Sequence, residues 1–119
     1  MSEIALSLFR EIAAAIPDAR PGKMFGAECF SAPNGKAVCF FYKGDMVFKL
    51  TGEHEREALS LDGTHLFGSG GRTKSGWIQV SFDYHDQWHN FAKAAMAYVK
   101  NLPSNVKEKQ NENGQYYRN

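Results

Sequence analysis

Cysteine is scarce. Two in 119 residues cannot staple a small domain, so a disulfide scaffold is excluded. A surplus of one charge sign is missing as well: 14 Lys+Arg face 13 Asp+Glu, a net charge of +1. That balance argues against a chain built to coat nucleic acid or anionic lipid, while a local basic patch stays open. The N-terminal stretch has no long apolar run, because Glu3, Arg10 and Glu11 interrupt it. It predicts neither a signal peptide nor a membrane span. Asn-x-Ser/Thr sequons are absent, and the cytoplasm is the expected compartment. What the chain has is apolar bulk. Nine Phe, five Tyr and two Trp, with 43% hydrophobic and 23% charged residues, suit one folded domain with a real core.

The periodicity gives the elements. Ile4, Leu8, Ile12 and Ile16 recur every fourth residue, with Ala5, Phe9 and Ala15 beside them. This spacing predicts an amphipathic helix capped by Ser2 and stopped by Pro17, then a loop over residues 18–22. Strands are predicted over 27–32, 36–43 and 46–50, joined by Pro33-Asn34-Gly35 and Gly44-Asp45, residues suited to tight hairpins. A short acidic helix over 53–61 and a weak strand over 65–67 follow. Residues 68–76 are too glycine-rich for a regular element. Trp77 to Phe82 alternates as a strand, and Asp83 is expected to cap the last helix. That helix carries Tyr84, Trp88, Phe91, Ala95, Tyr98 and Leu102 on one stripe. The result is an α+β domain over residues 1–102, a two-layer sandwich with an antiparallel sheet and the long terminal helices on one face. Residues 103–119 are polar and expected to be disordered.

Lys23-Met24-Phe25-Gly26, Gly35-Lys36, Asp45 to Leu50, and Gly71-Arg72 running through Lys74-Ser75-Gly76-Trp77-Ile78-Gln79-Val80 resemble the TfoX N-terminal domain family. The resemblance covers residues 5–100. It implies an α-β3-α-β2-α fold and a bacterial regulatory role. The regulators of natural competence that name the family act with a cyclic-AMP-responsive transcription factor and carry a second, C-terminal domain. This chain is expected to be a stand-alone member, with only a polar stretch after Leu102.

Several groups are candidates for chemistry. Gly70, Gly71, Arg72 and Lys74 combine closely spaced backbone N–H groups with cations and no acid, a pattern that can hold an anion or that simply solvates a hairpin loop. Trp77 is expected to anchor the loop's end in the core, and Lys23 and Phe25 are secondary candidates. Residues 19–49 hold Arg20, Lys23, Lys36, Lys43 and Lys49 against Glu28 and Asp45, whereas residues 50–66 are acidic. Such asymmetry suits a protein-docking surface or ordinary solvated faces. Direct nucleic-acid binding is not expected, because Phe30, Phe40, Tyr42 and Phe48 are needed as core beneath the helices. His85 and His89 have the i, i+4 spacing of a metal pair, without a third ligand fixed by spacing among His54, His65 or Asp86. With a three-residue loop at 33–35, Cys29 and Cys39 fall opposite each other and are expected as reduced, buried thiols. No cofactor, metal or membrane contact is expected. The reading is a non-enzymatic regulatory or protein-interaction module; the alternative is a small ligand- or anion-binding protein using loop 68–76.

Overall fold

The computed structural model describes residues 2–24, 26–68 and 74–103, apart from the side chains of Ser2, Lys74 and Ser75. The expected cap on Ser2, the placement of Phe25 and the polar segment from residue 104 lie outside what is described. The elements are α1 (Ser2–Ala15), β1 (Arg20–Met24), β2 (Ala27–Ser31), β3 (Ala37–Tyr42), β4 (Asp45–Lys49), α2 (Gly52–Leu59), β5 (His65–Phe67), β6 (Lys74–Val80), a 3-10 turn (Phe82–Tyr84) and α3 (His85–Val99). The strands form one antiparallel sheet in the order β1-β2-β3-β4-β6-β5. This is an α+β fold with helices on one face. It carries four strands before α2 where three were expected.

The extra strand is β1. Pro21 and Gly22 made this segment read as a loop, and its residues are largely exposed. β1 is nevertheless an edge strand, where a proline that donates no hydrogen bond is tolerated. Gly26, with φ +76°, lies in the turn between Met24 and Ala27, which pair. At the other edge, β5 has only three residues.

One core lies between the helices and the sheet. Ala5, Phe9, Ile12 and Ile16 of α1, Ala58 of α2, and Trp88, Phe91, Ala95 and Val99 of α3 meet Phe30, Cys39, Met46, Phe48, Ile78 and Val80. The α1 stripe is rotated from the expected one, leaving Ile4 64% exposed and Ala5 buried. Outside this core, Arg10 donates from Nε and Nη2 to the two carboxylate oxygens of Glu28, tying α1 to β2. Arg10 holds the Glu28 carboxyl below its usual range.

The entry to α3 also differs from expectation. Asp83 does not cap α3: Ser81 caps a 3-10 turn that precedes the helix, its Oγ accepting from the Asp83 N–H at 3.0 Å, and Tyr84 at the N-cap of α3 makes no side-chain capping bond. Trp88 is fully buried and donates its indole N–H to the Ser81 carbonyl at 3.2 Å, locking turn to helix. Lys74 to Gly76, expected as loop, belong to β6, because β4 and β5 supply hydrogen-bond partners that local propensity cannot see.

The cysteine register is off by one, for an identifiable reason. Ala32 and Lys36 do close a three-residue loop, with Ala32 N–H donating to the Lys36 carbonyl at 2.9 Å and Gly35 at φ +87°. Ser31 then pairs with Ala37, but Phe30 pairs with Cys39 and Cys29 with Phe40. Val38 is therefore a bulged extra residue, and every position beyond it shifts by one. Cys39 falls in the helix-side core and Cys29 on the other face of the sheet.

Asn34, at the tip of this hairpin, fastens the sheet to α3. Its amide nitrogen donates to the carbonyls of Val99 at 2.7 Å and Leu102 at 3.0 Å, while its oxygen accepts from the Lys36 N–H at 3.0 Å. These carbonyls lie at and beyond the helix end, where regular internal donors run out; Val99 keeps one local donor, the Leu102 N–H at 3.0 Å.

Two outcomes follow. Asn34→Ala is expected to lower stability by about 1–2 kcal/mol in urea unfolding, since it removes the Asn34 donor from the Leu102 carbonyl and leaves the Val99 carbonyl only the Leu102 N–H. Mild oxidation is expected to leave both thiols free in the native monomer. Burial raises both thiols above the ordinary range, Cys39 much more than Cys29. Alkylation followed by mass spectrometry should therefore modify Cys29 first, and Cys39 only on unfolding. A Cys29–Cys39 disulfide in folded protein would refute the register.

Candidate functional site

The face of the sheet away from the helices is also apolar. Cys29, Phe40 and Val47 are buried there, with Met24, Tyr42, Phe67 and Trp77 half-buried around them. Phe67 meets both Phe40 and Tyr42 edge-on at 5.0 Å between ring centroids, and Trp77 lies 5.4 Å from Phe40. In a flat sheet β5 would stand three strand spacings, about 14 Å, from β3. The β5–β6 end must therefore bend over this face. A bulge between Leu66 and Phe67, together with Gly76 at φ +86°, gives the strands that freedom.

The aromatic residues weighed for nucleic acid are thus divided. Phe30 and Phe48 lie under the helices, and Phe40 and Tyr42 lie on the opposite face. Phe40 is 1% exposed and its ring is already flanked, so it offers no open stacking surface.

A groove of about 600 Å³ opens at the end of the sheet, where the β2–β3 turn meets the C-terminal end of α3. Lys23 of β1, Lys36 after the turn and Lys49 at the end of β4 line it, with Ser31, Cys29, Met24, Trp77 and Tyr98 among the other walls. No carboxylate or imidazole is among the described lining residues. The Lys49 ammonium sits over the Trp77 ring, 5.3 Å from its centroid. It stands 3.0 Å from the point a Cβ on Gly76 would occupy. Glycine there serves both the backbone and the lysine. The end of a helix is ordinarily a negative pole and would repel an anion. Here the Asn34 amide takes two of those carbonyls.

Of the residues singled out in the sequence, Lys23 reaches the groove and Trp77 packs into the aromatic cluster as expected of a loop anchor. Gly70, Gly71 and Arg72 lie outside the described residues. Lys74 opens β6 opposite Phe67, with its side chain outside the description. Lys36 and Lys49 were missed as site residues; the surplus of cations over 19–49 was the signal, but only the strand order brings them together. His85 is engaged locally: its Nδ1 donates to the Phe82 carbonyl at 3.1 Å and its ring stacks on Phe82 at 4.6 Å. His89 is exposed. Among the described residues, no three His, Cys, Asp or Glu side chains are placed to hold a metal ion. No helix among them is long and apolar enough to cross a membrane.

The described lining of the groove can bind negative charge. Burial keeps the Cys29 thiol above its ordinary range, only partly offset by a hydrogen bond with Ser31, so at neutral pH it is a protonated, weak nucleophile. No family model, curated protein or solved structure matches the chain.

Gly76→Ala and Gly63→Ala both force a side chain into a positive-φ position, at +86° and +81°. Each is expected to cost about 1–2 kcal/mol in chemical unfolding. Only Gly76→Ala should also push Lys49 off its ring, visible as a shift of the Trp77 indole resonance, because nothing lies within 4 Å of a Cβ on Gly63.

Proposed function

We propose that the domain is a non-enzymatic interaction module that docks an anionic segment of a partner protein in the lysine groove. The observation that carries this reading is the approach of Lys23, Lys36 and Lys49 from three separate parts of the sheet to one cavity without a described acidic lining residue. Lys23 has an acidic cross-strand neighbour in Glu28, outside the groove lining; cations around a concave, partly apolar surface favour an acidic partner and speed its encounter. The resemblance of the Lys23–Gly26 and Gly71–Val80 blocks to the TfoX N-terminal domain supports a regulatory setting, transcriptional or competence-related, in the cytoplasm.

A second reading rests on size. About 600 Å³ falls within the range of small-molecule sites, so a small organic anion could fill the groove.

Fluorescence anisotropy with a labelled glutamate-rich peptide tests the first reading. Binding is expected to weaken with added salt, and by at least about tenfold when Lys23, Lys36 and Lys49 are all replaced by alanine. Unchanged affinity in the triple variant, with its unfolding midpoint preserved, would sink the proposal. Saturation by small dicarboxylates with no response to the peptide would favour the second reading.

A further inference from the structure

The groove's cations are all of one kind. Lys23, Lys36 and Lys49 bring three ammonium groups, and no guanidinium is among the described lining residues. The difference has chemical content. Arginine presents a planar fork that matches two oxygens of a carboxylate or of a phosphate side by side, whereas an ammonium is a compact point charge with rotatable donors, the form in which lysine serves phosphate sites. Point charges arriving from β1, from the β2–β3 turn and from β4 suit a compact anion whose oxygens point in several directions. A phosphoryl group, carrying close to two negative charges at neutral pH and three strong acceptors, is such an anion. The Ser31 hydroxyl in the same wall, hydrogen-bonded with Cys29, adds a neutral polar group.

Lys49 is held close to this position with no acidic ion-pair partner among the described residues. Its ammonium rests 5.3 Å from the centroid of Trp77, an attraction that an incoming dianion can exceed. Gly76 leaves room for the lysine tip to lie there. The rest of the groove is less suited to a bare ion. Met24, Trp77 and Leu102 are half-buried apolar walls, and a phosphate ion would leave them unused.

Building on the reading of this groove as an anion-docking site, we infer that its occupant is a phosphorylated protein segment. The phosphoryl group lies among the three ammoniums and a neighbouring apolar side chain lies against Met24, Trp77 and Leu102. Lys49 leaves the Trp77 ring to meet the phosphoryl group.

The chain has two tryptophans, and Trp88 is fully buried in the helix-side core, so it serves as an internal reference. Full-length protein labelled with 5-fluorotryptophan is titrated, with 19F NMR detection, with three probes: a short peptide holding phosphoserine beside phenylalanine, the same peptide with glutamate for phosphoserine, and inorganic phosphate. The phosphopeptide is expected to bind at least about tenfold more tightly than either other probe, moving the Trp77 resonance and leaving that of Trp88 in place. Lys49→Gln should lose about tenfold in affinity and the Trp77 shift, while Lys43→Gln, outside the groove, should lose neither. Equal binding of the two peptides would overturn the phosphoryl assignment and leave the anion site standing. Inorganic phosphate binding as tightly as the phosphopeptide would overturn the protein segment as occupant. Full affinity in folded Lys49→Gln would overturn the role of Lys49, and failure of all three probes would overturn the groove as an anion site.

Discussion

A sheet whose central strands are apolar on both faces has to be covered twice, and that requirement shapes this molecule. β3 and β4 alternate Cys39, Met46 and Phe48 towards the helices with Phe40 and Val47 towards the other side. Three helices cover the first face. The second is covered by the sheet itself, as the β5–β6 end folds over and sets Phe67 and Trp77 on Phe40. Removing Phe40 from water is worth on the order of 2 kcal/mol, enough to favour the bend that achieves it. The groove is a by-product of this economy. It opens at the sheet end, where Lys49 and Trp77 meet the hairpin and the end of α3.

The sequence revealed most where one pattern dominated. Strands over 27–31, 37–42 and 65–67 and the run of Trp88, Phe91 and Ala95 in α3 follow from alternation and helical spacing, because burial imposes those periods. It revealed least where tertiary pairing overrides local signals. Pro21 and Gly22 signal a loop, yet β2 offers them a sheet edge. Gly76 signals a break, yet its carbonyl accepts from the Leu50 N–H at 2.9 Å within the paired region. The bulge at Val38 has no composition of its own, and it alone separated Cys29 from Cys39. For the candidate site, Lys23 was legible through its motif and the surplus of cations was visible as a regional sum. That Lys36 and Lys49 share a cavity with it depends on strand order, which no linear spacing encodes.

Electrostatics and packing cooperate in the groove through neutral groups. The Asn34 amide takes the helix-end carbonyls, and the Trp77 ring holds an ammonium without cancelling its charge. A carboxylate in place of the Trp77 ring would hold the ammonium more firmly and leave a closed ion pair, whereas one in place of the Asn34 amide could not donate to the helix-end carbonyls. Glu28 shows the contrast: its bidentate pairing with Arg10 ties α1 down and leaves little charge to offer.

The two borders of the sheet have a bearing on what the protein does in crowded surroundings. One border strand contains a proline and an exposed lysine, and the other ends after three residues. Neither presents the long, regular row of free backbone donors and acceptors onto which a second molecule could zip. For a chain this rich in phenylalanine, such borders disfavour edge-to-edge stacking of one sheet onto the next.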